Sequence, residues 1–335
     1  MHLLDFAEFP FSLSTQSLSA YLQAATAAVE SDPNNSDNLT HLGYARQAGG
    51  DIAGANSAYA ALGQIAPDAI LARVQLGVTP ESNALELPPV IGEWPKQSCL
   101  FLSCDVRYLG LFVPPLLRSL QRFVPSQRIH IHIMGDPGDL KPFVKAFRPL
   151  RITTTQERPE EFLRAHNIQP EAYYGAARFI RFSQALDVNE GPLWMSDVDG
   201  LLYQNPRPLF GNAADVALRV RAGRLEPWNQ FSACLVMGRP NARNYFREAA
   251  NIVRALLTKS WWGLDQYALF SAYLILKARG TLPSFSLLGP NEANVGADEG
   301  GVFWYTAGTQ KSRLFQNLPP EELRPYEKLF SLFSA

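Results

Sequence analysis

Cysteine is scarce in this chain, with three thiols, Cys99, Cys104 and Cys234, among 335 residues. Three is too few, and odd, for a disulfide framework. Each thiol lies in an apolar run, where a buried cysteine is ordinary and a metal site is not suggested. An excess of charge of either sign is missing too. With 30 basic and 31 acidic side chains and a net charge of −1, no global positive field exists, and bulk nucleic-acid binding is disfavoured. No apolar run approaches the roughly 18 residues needed to read as a membrane span. The opening MHLLDFAEFPF carries neither a basic segment nor a long apolar one, so no secretory signal is read there. These absences predict a soluble, cytoplasmic protein. The sequons at Asn34 and Asn38 then read as turn residues. What is present, 47% apolar and 18% charged residues, allows a large core in one domain or two unequal ones.

The chain divides by composition. Residues 1 to about 90 are rich in Ala, Ser, Gln and Asn and read as helices. Within them Leu42, Gly43, Gly50, Asp51, Ala55, Tyr59, Leu62 and Pro67 fall at the spacings of one unit that begins at Ser36 and resembles a tetratricopeptide repeat, in which small residues let two antiparallel helices approach and a proline ends the second. Ala25, Ala28 and Pro33 repeat the end of that pattern one unit earlier. Such repeats commonly stack about three units. The resemblance implies a small helical domain over residues 1–90 that leans on its neighbour and offers a surface to a protein partner, or else a packing cap.

Residues 81–96, with Pro88, Pro89 and Pro95, read as a linker. From Cys99 onward strand-like and helix-like stretches alternate, which predicts an α/β sheet over residues 91–335 with sites at the carboxyl ends of its strands. SCLFLSCD reads as a buried strand ending in Asp105, residues 109–123 as a helix with Pro114 and Pro115 in its first turns, and RIHIHIM as a strand that turns His130 and His132 to one face. An i,i+2 histidine pair inside a strand reads as a polar face more readily than as a metal site. The stretch PLWMSDVDGLL is the most telling. An apolar strand breaks into Asp197 and Asp199, with Gly200 allowing a tight path that brings both carboxylates to one point. Two hard oxygen donors one residue apart suit Mg²⁺ or Mn²⁺ and leave coordination positions for water and phosphate. With 31 acidic residues in the chain a bare acid-x-acid triplet arises readily by chance, so its place after a strand is what distinguishes it.

Several motifs in one order carry a resemblance. Tyr174 and Arg178 on a helix, a short strand, then Asp197-Val198-Asp199 resemble the family 8 glycosyltransferases of the GT-A fold. Asp105 and Tyr108 sit where that family contacts the nucleoside. Ser232 to Met237 occupy the place of its N-A-G strand, Asp265-Gln266 match its D-Q pair at a helix start, and FWYTAGTQK resembles its closing strand and loop with Gly308 and Lys311. The resemblance spans about residues 98–315. It implies a GT-A (nucleotide-diphospho-sugar transferase) fold and a glycosyltransferase of the hexosyltransferase class. The donor would be a nucleotide sugar, a UDP-sugar first, and the acceptor a glycan, lipid-linked molecule or protein, with anomeric configuration retained. It further implies Asp197 and Asp199 as ligands of Mn²⁺ or Mg²⁺, and a donor site of Asp105, Tyr108, Arg178, Asp197, Asp199, Ser232, Gly308 and Lys311. Asp265 and Gln266 would act on the sugar at the reacting centre.

Three departures stand out. The closing segment reads Trp304-Tyr305-Thr306, without the histidine the family supplies as a third metal ligand. Ser232 replaces an asparagine, and Tyr267 replaces an acid. The missing histidine leaves open a non-catalytic scaffold whose helical repeat binds a partner. A sugar-nucleotide pyrophosphorylase would use a similar sheet, but SCDVRYLGL lacks the glycine-rich loop expected after its first strand. Arg178 and Arg181 read as donor contacts or as surface arginines; Arg219, Arg221 and Arg224 read as acceptor contacts or as an arginine-dressed sheet edge. Residues 319–335 read as an amphipathic helix packed on the catalytic domain.

Overall fold

The computed structural model describes residues 15–69, 71, 75–78, 85–221, 224, 226–295 and 300–305. Gly308, Lys311 and the helix expected over residues 319–335 lie outside the described residues.

Among the described residues the helices α1 (Thr15–Ser31), α2 (Ser36–Ala48) and α3 (Ile52–Ile65) come first. Asn35 caps α2 by accepting from the amides of Asp37 and Asn38, and Asp51 caps α3 by accepting from Gly54. Each thereby satisfies N–H groups that a helix start leaves without partners. Gly43 lets α2 and α3 meet, because a Cβ there would stand 2.1 Å from Cε1 of Tyr59. Leu39, Tyr59 and Leu62 belong to the same apolar core as Tyr267 and Leu276 much later in the chain, and the Tyr267 hydroxyl donates to the Gln75 carbonyl at 2.8 Å.

The described part of the segment that read as a linker, from residue 85 onward, is a strap fastened to the main body. Asn189 Nδ2 donates to the carbonyls of Pro95 and Gln97, Arg181 donates to that of Pro88, and Ile91 exchanges backbone hydrogen bonds with Gln156. Its prolines remove donors and so suit a run whose remaining polar groups are satisfied from outside.

The body follows as β1 (Cys99–Asp105), α4 (Val106–Leu111), α5 (Val113–Phe123), β2 (Arg128–Met134), α6 (Lys141–Ala146), β3 (Arg151–Glu157), α7 (Glu160–His166) and α8 (Pro170–Val188). Next come β4 (Leu193–Ser196), β5 (Gly200–Leu202), α9 (Arg207–Phe210), β6 (Val216–Val220), α10 (Pro227–Gln230) and β7 (Phe231–Gly238). The described chain closes with α11 (Arg243–Leu256), α12 (Leu264–Ala278), β8 (Phe285–Leu288), β9 (Ala293–Val295) and β10 (Phe303–Tyr305). The single helix expected over residues 109–123 is two. The break at Phe112 places Pro114 and Pro115 in the first turn of α5, where a missing N–H costs nothing.

Seven strands form one sheet in the order β3-β2-β1-β4-β7-β6-β8, parallel except for β7, and β5, β10 and β9 form a smaller one. Apolar residues cover both faces of the large sheet. Phe179, Phe182, Phe246 and Leu269 from α8, α11 and α12 fill one side, and Leu116, Leu117 and Leu120 of α5 with Trp304 and Tyr305 fill the other. That two-sided burial is why β1 and β2 read as near-continuous apolar runs. From β1 the chain builds outward through β2 to β3, then returns to lay β4 on the other side of β1. The order reverses between β1 and β4, and the crevice at such a switch point is where open α/β sheets bind ligands. Asp105 ends β1 and Asp197 follows β4.

Candidate functional site

All four residues of β4 are buried, and the chain leaves the sheet at Asp197. The Asp197 N–H donates to the Cys234 carbonyl at 2.8 Å. That carbonyl is offered by an irregularity in β7, whose pairing with β6 jumps from Leu218↔Val236 to Arg219↔Ser232. A break of this kind re-aims strand groups next to sites. Gly200 is needed for close approach, since a Cβ would stand 2.5 Å from Cδ1 of Tyr305. Tyr305 itself is buried and its hydroxyl lies 2.9 Å from Ser196 Oγ. The segment where a third metal ligand was sought thus places Trp304 and Tyr305 in the core.

Arg178 is the hub. Its guanidinium forms an ion pair through Nη1 with Asp197 Oδ1 and another through Nη2 with Asp265 Oδ2, the latter at 2.8 Å, while Nε donates to the Gly175 carbonyl at 2.9 Å. Burial alone would depress its pKa, but the two carboxylates together raise it. Asp265, in the first turn of α12, also accepts from the Gln266 amide at 2.8 Å, a favourable place for a carboxylate against the helix dipole. Burial still pushes its carboxyl above the ordinary value, against the pull of Arg178. One guanidinium therefore ties α8, the acidic turn and the start of α12 together. Sequence reasoning placed Arg178 on the donor and missed that it binds Asp265.

Gln266 is buried beside it. With its amide oriented so that nitrogen faces the main chain, it donates to the carbonyls of Phe231 at 3.1 Å and Trp228 at 3.3 Å. Ser232, next along β7, is buried and donates from Oγ to Cys234 Sγ at 3.2 Å; Arg221 Nη2 donates to that Oγ at 3.3 Å. At the end of β1, Asp105 caps α4 by accepting from the Tyr108 amide at 2.6 Å, and the Tyr108 ring packs on Phe112 with centroids 4.7 Å apart. Asp199 is half-buried one residue beyond Val198. Asp105 ends β1, Asp197 and Asp199 follow β4, and Ser232 lies at the start of the antiparallel β7, while Arg178 joins them from within α8 and Asp265 and Gln266 from the first turn of α12. Of the tryptophan pair, Trp261 is core and Trp262 is 73% exposed.

Arg181, one helical turn on from Arg178, has a separate task. It is buried and ion-paired with Glu157, whose other oxygen accepts from the Tyr173 hydroxyl at 2.9 Å and lies 3.6 Å from His132 Nε2. The ring nitrogens of His130 are 2.9 Å from Thr153 Oγ1 and Thr155 Oγ1, and His132 Nδ1 is 3.0 Å from Thr155 Oγ1. Burial keeps both imidazoles neutral, pushing His130 down to about 3. The alternating His-x-His and Thr-x-Thr of neighbouring strands form a buried polar ladder, as a period of two dictates. Among the described residues no cluster of three His, Cys, Asp or Glu groups could hold a metal ion. Asp197 and Asp199 are the two hard oxygen donors at the acidic turn. Their chemistry fits Mg²⁺ or Mn²⁺ when a diphosphate supplies further oxygens.

No protein-family model matches this chain, and no curated protein matches it. Solved structures do. The apo bifunctional glycosyltransferase WbbM is similar with a TM-score of 0.50 at 11% identity, over 71% of this chain and 52% of that one. The galactosyltransferase LgtC, solved with donor and acceptor sugar analogues, gives 0.46 at 12% identity, over 68% of this chain and 99% of that one. The glycosyltransferase GlyE of Streptococcus pneumoniae TIGR4 gives 0.45 at 10% identity, over 70% and 64%. At these identities the likeness to WbbM shows a shared fold, a mixed α/β architecture of the GT-A kind.

Proposed function

We propose that the chain transfers a hexosyl unit from a nucleotide-diphosphate sugar, a UDP-sugar first, to a glycan, lipid-linked or protein acceptor, with anomeric configuration retained. The observation that carries this is the Arg178 bridge, which holds the acidic turn after β4 and the Asp265-Gln266 start of α12 in one cluster beside the switch point of the sheet. The GT-A-like fold supports it.

In the reaction the bond from the anomeric carbon to the diphosphate oxygen breaks and the diphosphate keeps the electron pair. A new bond forms from the acceptor hydroxyl oxygen, whose proton passes to the departing diphosphate oxygen. Charge grows on the leaving diphosphate, and stabilising it is the main electrostatic demand. A divalent cation held by Asp197 and Asp199 would supply positive charge there, and Lys311 with Gly308 is proposed to contact the same group. Arg178, saturated by two carboxylates, orients Asp197 and Asp265. Asp105 and Tyr108 are assigned to the nucleoside, Asp265 to sugar hydroxyls and Ser232 to the sugar. Because the Gln266 nitrogen donates to Trp228 and Phe231, its carbonyl oxygen is the group it keeps for a positively charged anomeric centre. The helices α1 to α3 are proposed as a tetratricopeptide-like surface for a protein partner or acceptor.

The test is calorimetric titration of the full chain with UDP and with GDP, with and without Mn²⁺, beside an Asp197→Ala/Asp199→Ala variant. Metal-dependent binding of one nucleotide that the variant loses supports the donor site. If neither nucleotide binds under either condition, the proposal fails and the helical segment's partner becomes the question.

A further inference from the structure

Three arginines of β6 and the loop after it, Arg219, Arg221 and Arg224, read from sequence as acceptor contacts or as the dressing of an exposed sheet edge. The second reading does not hold for Arg219, because β6 is interior there, paired with β7 on one side and β8 on the other. An arginine inside a sheet needs a different account.

Arg219 is only 8% exposed and its Nε is fully shielded with no hydrogen-bond partner. Among the described residues no carboxylate forms an ion pair with it or with Arg221; Asp197 and Asp265 are paired with Arg178. Arg221 is half-buried and its guanidinium donates to two neutral partners, Asn229 Oδ1 at 3.2 Å and Ser232 Oγ at 3.3 Å. Burial pushes the pKa of Arg221 down; Cys234 pulls it back up, repulsion from Arg219 and Arg224 pushes it down, and the field of Asp197 raises it, the net being downward. Buried charge is costly unless an opposite charge and full hydrogen bonding accompany it. Among the described residues these two guanidiniums have no ion-paired acid, only the longer-range field of Asp197 on Arg221, and so form an under-compensated positive site.

Its position connects it to the cluster already described. Arg219 stands opposite Ser232 in the β6–β7 register. Arg221 reaches Ser232, Ser232 reaches Cys234, and the Cys234 carbonyl holds the Asp197 amide. On its other side the start of β7 meets Gln266 through the Phe231 carbonyl. We propose that Arg219 and Arg221 form a subsite for an anionic group, a carboxylate or a phosphate, carried by the transferred sugar or by the acceptor. The planar, forked guanidinium matches either anion with paired hydrogen bonds. This inference rests on the glycosyltransferase reading, since that reading brings a sugar to the start of β7.

The experiment compares matched neutral and anionic probes on the full chain by calorimetry, with UDP alone as the control. One arm sets UDP-glucose against UDP-glucuronate. The other, with UDP present, sets glucose against glucose 6-phosphate. The expected result is that in one arm the anionic probe binds about tenfold more tightly or better, the size of one charge-assisted pair of hydrogen bonds. Arg219→Gln and Arg221→Gln should each bring that ratio towards one while UDP affinity is unchanged. Arg219→Lys, which keeps the charge, should retain most of it and guards against a folding defect. Equal affinities in both arms, or a preference that survives both glutamine variants, overturns the subsite. If UDP itself fails to bind the wild-type chain, the transferase reading is what has failed, and the subsite falls with it.

Discussion

Replacing Arg178 by methionine removes the guanidinium that two carboxylates share. Both ends of its tighter-buried pair are shielded, with side-chain exposures of 13% for Arg178 and 9% for Asp265. Breaking a buried ion pair by deleting one member costs about 3 to 5 kcal/mol, because the survivor is left charged in a poor solvent. Asp197, at 27% exposure, is better hydrated and adds little, so the low end, about 3 kcal/mol, is the expectation near pH 8. For a chain of this size that corresponds to a fall in Tm of roughly 6 °C. The loss depends on pH. Burial already holds the Asp265 carboxyl above its ordinary value of 3.8, and without Arg178 it rises further. A carboxyl whose folded pKa exceeds its unfolded one favours folding fully below the unfolded value, and that contribution is lost as pH rises through the folded pKa. The variant should therefore approach wild-type stability near pH 4 and lose most at pH 8. Urea titrations at the two pH values measure this. Arg178→Met/Asp265→Leu, which removes both charges, should recover much of the loss. A variant as stable as wild type at pH 8, or one with the same deficit at both pH values, would refute the reasoning.

Other consequences are as direct. Arg181→Met should cost about 3 kcal/mol at neutral pH, since Glu157 is fully buried beside it, and chemical denaturation checks this. His130→Asn should flatten the acid limb of stability: the wild-type imidazole, held down to about 3 from an ordinary 6.5, favours folding above 6.5, and that contribution is lost as pH falls towards 3. Gly43→Leu should unseat Tyr59 and destabilise α2 against α3 by about 2 kcal/mol, as overpacking does; thermal melting of the full chain reads it. Trp262→Ala, at a side chain 73% exposed, should leave Tm within about 1 °C of wild type, so a change in acceptor KM would mark a ligand role.

Much of the architecture was legible in sequence because it depends on local pattern. The apolar runs CLFLSC and IHIHIM are strands buried on both faces, the histidines and threonines alternate because strands do, and Asp197 follows a strand because its apolar run stops there. The one-helix reading of residues 109–123 failed at Phe112, where the chain breaks so that Pro114 and Pro115 fall in the first turn of a second helix. The strap read as a linker because the groups that satisfy it, on Arg181 and Asn189, lie more than 90 residues away.

The candidate site divides the same way. Sequence by itself determined which residues end strands and start helices, and so which carboxylates could gather at one edge of a sheet. Tertiary structure alone decided how they are partnered. Arg178 meets Asp265 across 87 residues of chain, Arg181 turns instead to a buried glutamate, and Arg219 sits inside the sheet with no ion-paired acid among the described residues. Each outcome depends on desolvation and on which charges the fold brings within a few ångströms, and neither follows from a residue's neighbours in the chain.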